Sequence, residues 1–356
     1  MAVREQGMWL MLLLAMATTA NAQSSSGDLD GTAPEELLIQ VQAQNQARME
    51  QARKLASTGE PLKLYVAAGL APMSLDLKSG QLRAEPDAQV WLLEAIAKGS
   101  DAPLIAATAI RRCLDGGDCA VEAAARTLQA DAGADAQLLL MRWGQQRGDQ
   151  AGAEESKQRA LNAPRYDDKL RVIIRLLDEA TAGMVWPLVQ PRQAAQWEQA
   201  NNGWYAEHER VATLFSIALG MWQPELKAAF AICPDGASDI PRREQCRNLL
   251  MTMADSGSML LAKAGLQRLA RMGPTPEEAR QLAERARELD WLLSQSTQFL
   301  NNNDPAQKAS TVEPQVYMRW FGEVGEIAAM RRLLQQRGEP VLPPVSWEPP
   351  PIPPSH

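Results

Sequence analysis

Histidine is nearly absent from this 356-residue chain: there are two, His208 and His356 at the extreme end. Serine and cysteine triads need an imidazole base, so any such scheme rests on His208 alone. That residue sits in "WYAEHERVATLF", beside Glu207, Glu209 and Arg210, the pattern of a solvated helix face. Nucleotide, metal and hydrolase signatures are missing too, since no G-x-S-x-G, H-E-x-x-H, P-loop or G-x-G-x-x-G occurs. No cofactor and no metal site are expected. A net charge of −7 without a long basic run argues against nucleic acid or anionic lipid as partner. Tyrosine and phenylalanine number four each, and alternating β-branched runs are scarce, so the usual material of sheets is lacking. Beyond residue 22 no apolar run approaches the roughly 18 residues that a transmembrane helix needs.

The first 23 residues are different. "MAVREQGMWLMLLLAMATTANAQ" has Arg4 in a polar start, an apolar run from Met8 to about Ala17, and Ala20-Asn21-Ala22 before Gln23. That is the signal-peptide pattern over residues 1–22, with cleavage between Ala22 and Gln23. The expectation is an exported protein, periplasmic in the first instance. Residues 23–33, rich in Ser, Gly and Asp, read as a disordered linker.

What the chain has in quantity is helix material: Ala, Leu, Gln, Arg and Glu dominate. "TAPEE" at 32–36 and "TPEE" at 275–278 are capping boxes, built on Thr32 with Glu35 and on Thr275 with Glu278. Asp101 is expected to cap a helix whose first turn holds Pro103. "KGSD" at 98–101 and "RGDQ" at 147–150 read as tight turns between antiparallel helices, whereas 71–86 reads as a loop.

Two segments resemble each other at a distance of 48 residues. "DAQVWLLEAIAKGSDAPLIAATAIRRCL" begins at Asp87 and "DAQLLLMRWGQQRGDQAGAEESKQRAL" at Asp135; both run helix, glycine turn, alanine-rich helix. A weaker echo lies at 248–273, with "DSGS" as its turn. Helical hairpins at loose spacing point to an all-α solenoid over 34–338, with right-handed stacking and a soft boundary near 164–191. The unit at about 133–161 resembles a tetratricopeptide repeat in its leucines, Gly144, glycine turn and small residues Ala151, Gly152, Ala153 and Ala160. The family's aromatic and proline positions are poorly met. "RRCLDGGDCAVEAAARTLQADAGADAQLLL" and "RREQCRNLLMTMADSGSMLLAKAGLQRLARM" are similar to a poorly characterised group of exported helical proteins of Gram-negative bacteria. That resemblance implies location and fold, and no activity.

Four cysteines in an exported chain suggest disulfides, and three connectivities are possible. Gly116 and Gly117 in "CLDGGDC" permit a sharp reversal between Cys113 and Cys119. Cys233 and Cys246 likewise flank an interhelix segment, so the favoured pairs are Cys113–Cys119 and Cys233–Cys246. Spacings of this kind suit neither zinc nor a C-x-x-C redox centre.

Paired carboxylates such as Glu35/Glu36, Asp167/Asp168 and Glu277/Glu278 fall at helix starts, where acids offset the macrodipole. The remaining lead is aromatic: Trp186, Trp197, Trp204, Tyr205 and Trp222 crowd into 37 residues and could form a ligand surface, although packing explains them as readily. Residues 339–356 hold eight prolines in eighteen positions and read as a disordered, polyproline-biased tail. In it, Pro351 and Pro354 could meet an aromatic groove. The expected function is non-enzymatic: a scaffold for a protein or peptide. The alternatives are a hydrolase acting on peptidoglycan and an exported effector.

Overall fold

Proline and glycine set the punctuation of this chain. The computed structural model describes residues 34–76, 81–117, 119–187, 205–235, 240–300 and 312–349, and fifteen helices run through them. Helices α1 (Pro34–Ala56) and α2 (Pro61–Leu70) come first, then strands β1 (Met73–Asp76) and β2 (Gln81–Ala84). There follow α3 (Pro86–Lys98), α4 (Pro103–Leu114), α5 (Glu122–Gln129), α6 (Ala134–Arg147), α7 (Gln150–Leu161) and α8 (Lys169–Thr181). The second half holds α9 (Tyr205–Met221), α10 (Leu226–Ile232), α11 (Ile240–Ala254), α12 (Met259–Arg271), α13 (Pro276–Leu300), α14 (Pro314–Val324) and α15 (Glu326–Gln336).

Pro61, Pro86, Pro103 and Pro314 occupy first helical positions, where a missing N–H leaves nothing unsatisfied. Asp101 does not cap α4. The cap position falls on Ala102, and no side chain caps that end. The second capping box forms as expected: Thr275 N donates to Glu278 Oε2 at 2.8 Å, and Glu278 N to Thr275 Oγ1 at 3.3 Å. Thr32 lies outside the described residues, as do Ala22, Gln23 and the linker 23–33.

The helices pack as antiparallel hairpins in an all-α solenoid of tetratricopeptide-like character. In α6–α7 the turn passes through Gly148 at φ +74, and Asp149 caps α7 by accepting from Gly152 N at 2.9 Å. Within that hairpin a Cβ on Gly144 would lie 3.1 Å from Ala153 N, so only a hydrogen allows the two backbones this close. The α11–α12 hairpin uses the same device, since a Cβ on Gly265 would fall 2.6 Å from Leu250 O.

The segment 71–86 is not a plain loop. β1 and β2 pair antiparallel, with Met73 opposite Ala84 and Asp76 opposite Gln81. In sequence "MSLDL" does alternate apolar and polar, but it contains no β-branched residue, so its strand signal is weak.

Helix α8 is the hub. Leu170, Ile173, Ile174, Leu177 and Thr181 are buried along one stripe, and the helix packs against α2, α9 and α14. A Cβ on Gly322 would meet Arg175 at 3.0 Å, which marks the close approach of α14. Arg210 on α9 is buried and donates to Asp178 Oδ1 at 2.7 Å and Thr181 Oγ1 at 2.9 Å. Phe215 and Phe321 meet edge to face at 5.1 Å, joining α9 to α14. One apolar cluster runs from Ala52 to Leu333. Its members include Tyr166, Leu170, Ile173 and Trp186, within the stretch near 164–191 where a soft boundary was expected, of which 188–191 lie outside the described residues.

Cys113–Cys119 and Cys233–Cys246 are both bonded, with Cα separations of 4.8 and 5.4 Å. The first closes the α4–α5 turn, where Gly116 has φ +87. The second ties the end of α10 to α11. The tail begins differently from expectation: residues 340–347 lie along α13, where Trp291 Nε1 donates to Pro340 O at 2.9 Å. The indoles of Trp291 and Trp347 meet edge to face, with centroids 5.3 Å apart. Pro351 and Pro354 lie outside the described residues.

Candidate functional site

The chain between α7 and α8 packs against a cluster of half-buried and buried charge at the starts of α6 and α8. Ala134 N donates to Arg165 O at 2.9 Å, which fixes this loop against the start of α6. Asp131, Asp135 and Asp167 converge on Lys169, at 3.5, 3.3 and 4.0 Å. Arg165 closes the cluster from outside, 3.0 Å from Asp131 and 2.8 Å from Asp167. Burial raises the Asp135 carboxyl above its usual range, although Lys169 partly opposes this. For Lys169 burial pulls down, but the attraction of Asp135, Asp131 and Asp167 outweighs it and leaves the ammonium above its ordinary value. Three carboxyls face two cations here, and the cluster reads as a lock between α6 and α8.

Asp168 is another matter. Its side chain caps α8 by accepting from Leu170 N at 3.1 Å, while its Oδ2 is buried without a hydrogen-bond partner. Burial pushes this carboxyl up to about 6, against the cap bond and Arg171. Glu326, at the start of α15, accepts from Met259 N at 2.7 Å and so caps α12. Burial pushes Glu326 up to about 7, the Met259 bond opposes, and repulsion from Asp168 adds to the rise. Two carboxyls from distant parts of the chain therefore both hold protons unusually tightly.

Asp168 lines a cavity of about 260 Å³ between the α7–α8 loop and the α11–α12 and α14–α15 turns. Arg165, Tyr166, Arg171, Asp255 and Gly325 complete much of its wall. A broader depression of about 640 Å³ lies beyond Arg165 and Lys169, over Asp101 and Thr127. Among the described residues no group of three or more His, Cys, Asp or Glu is arranged to hold a metal ion.

The expected aromatic surface is divided. Trp186 and Trp222 are buried in the main apolar cluster, so neither is offered to a ligand. Trp197, Trp204 and the side chains of Tyr205 and His208 lie outside the described residues. Glu277 is exposed and pairs with Arg280 three residues on, and Glu278 serves the capping box and Arg247. A buried partner set absent from the sequence reading is Glu225, which accepts from Arg111 at 3.3 Å and Arg142 at 2.8 Å. Its members come from three separate helical segments, so no local motif announces them.

Apolar exposure is uneven. Of the nine large apolar side chains exposed among the described residues, six lie between Ile39 and Leu93: Ile39, Val41, Leu62, Met73, Val90 and Leu93. Val90 and Leu93 stand three apart on α3, which places them on one helix face. They are 61% and 47% exposed, where a solvated face would carry charge. No helix of the described residues is long and apolar enough to cross a membrane. No protein-family model, curated protein or solved structure matches this chain.

Proposed function

We propose that this chain is an exported scaffold that holds a protein partner on the apolar face of its first three helices. The observation that carries the reading is the concentration there of exposed Ile39, Val41, Leu62, Val90 and Leu93, with Met73 on the adjoining strand β1, on a helical-repeat body. Such a body offers broad, rigid surface, which suits protein binding better than chemistry. The signal-like start and the two disulfides support a periplasmic or otherwise oxidising location. The test is chemical crosslinking in intact cells with wild type and the Val90→Glu, Leu93→Glu double variant. A discrete protein adduct that the variant loses supports the reading. Recovery of cell-wall fragments alone, or an adduct indifferent to the substitutions, overturns it.

A second reading rests on one observation, the pair of carboxyls raised toward neutrality beside the cavity of about 260 Å³. Groups of this kind can exchange protons during glycan hydrolysis. Both carboxyls, however, already hold helix starts through Leu170 N and Met259 N. Release of soluble fragments from purified peptidoglycan by wild type, and not by Asp168→Asn or Glu326→Gln, would favour hydrolysis. No release by wild type removes it.

A further inference from the structure

The chain carries its own example of a docked segment in place. Arg287 and Trp291 stand four residues apart on α13 and address the same stretch of backbone. Arg287 Nε donates to Trp347 O at 3.1 Å, and its Nη2 donates to Val345 O at 3.1 Å and Trp347 O at 2.9 Å, and also to Pro344 O. Trp291, only 8% exposed, offers its indole N–H to Pro340 O and its ring to Trp347. Four carbonyls of one segment, which folds into a turn over 344–347, are thus read by two side chains.

The side chains of that segment are used sparingly. Val345 is fully exposed and Leu342 is 63% exposed, so neither holds the segment down. What is recognised is a row of backbone acceptors, one aromatic ring and the side chain of Val341, which packs on the apolar cluster of Leu289, Leu292 and Met330. Proline suits such a site for physical reasons: its nitrogen brings no donor to satisfy, and its fixed φ reduces the entropy lost on docking.

We infer that the Arg287–Trp291 face of α13 is a recognition site for a turn-forming, proline-rich peptide. Residues 340–347 fill it in cis, and a proline-rich segment of a partner protein displaces them. This surface is separate from the apolar face of α1–α3, and either can fail without the other. The cis segment is joined to α15 through Gly338, at φ +69, and Glu339 is held by Arg337 at 2.8 Å. So short a tether gives an effective concentration in the millimolar range, and a peptide in trans meets that competition unless the cis contacts are weakened.

The probe is a labelled synthetic peptide of residues 339–349, EPVLPPVSWEP, titrated against the full chain by fluorescence anisotropy. Trp347→Ala weakens the cis contact, and the dissociation constant should fall at least about tenfold relative to wild type. Adding Arg287→Ala to that variant should abolish binding. A peptide with its prolines replaced by alanine should bind several-fold more weakly. The inference is overturned if folded Trp347→Ala does not bind the peptide, if the added Arg287→Ala binds as well, or if the alanine peptide binds equally.

A second measurement on the unmodified chain guards against a variant that does not fold. With several millimolar peptide, the amides of 339–349 should lose hydrogen-exchange protection, including Trp347 N–H, which donates to Pro344 O at 2.9 Å. Exchange of those amides that is unchanged by the peptide overturns the inference.

Discussion

Glu326 accepts one hydrogen bond while burial withholds water from the rest of its carboxyl, and Asp168 stands close enough to repel it. The folded chain therefore binds a proton at Glu326 more tightly than the unfolded chain does. Stability from such a group is full below the ordinary carboxylate pKa and is lost as pH rises through the folded value, about 7 for Glu326 and about 6 for Asp168. Glu278 has the opposite sign. The Thr275 backbone bond, Arg247 and the Thr275 hydroxyl lower its carboxyl, so its share is lost only as pH falls below the usual range. Glu326→Gln keeps a carbonyl for Met259 N–H and removes the titrating charge. Thermal melts should show this variant more stable than wild type at about pH 8, with the difference closing toward pH 5. A variant that melts lower than wild type at the higher pH contradicts the account. No local pattern could have paired these carboxyls, because "GEVGEI" and "YDDKL" lie about 158 positions apart and meet only through the hub helix α8.

At the scale of elements, much was legible where the causes are local. The turn at Gly148, the Thr275–Glu278 box and both cysteine pairs follow from residues within a few positions of each other. Where the local signal was ambiguous, the reading failed. "MSLDLKSGQLRA" lacks β-branched residues yet pairs as a hairpin, and Asp101 cedes the cap position to Ala102. The proline-rich segment at 340–347 read as part of a disordered tail because nothing within it points to Trp291, some fifty residues upstream. Of the local elements, the disulfides carry the most direct energetic consequence. Chain entropy assigns about 2.4 kcal/mol to the closure at Cys113–Cys119 and about 3 kcal/mol to that at Cys233–Cys246. Serine substitution of either pair should lower the denaturant midpoint, with the slope equal or slightly steeper as the unfolded chain is released, and more for the second pair. A larger loss at Cys113–Cys119 would show that loop entropy is not the main source. Cys233 and Cys246 are both fully buried in the main cluster, which adds packing loss in the same direction.

For the whole molecule, the all-α reading and the stacked hairpins hold, but the array does more than add neighbour to neighbour. Helix α8 meets α2 on one side in sequence and α14 on the other, so distant segments close on one helix. A simple repeat model has no place for such contacts, because each unit touches only its neighbours. The consequence is a body with a continuous core and a few surfaces left open: the exposed face of α1–α3, the charged cavity by Asp168, and the filled groove on α13. The first of these carries the central claim. A photocrosslinking amino acid placed at Val90 in intact cells tests it most directly, with the exposed position Arg280 as control. The account predicts one discrete protein adduct from position 90 and none from position 280. Equal adducts from both, or none from position 90 in folded and exported protein, would contradict it.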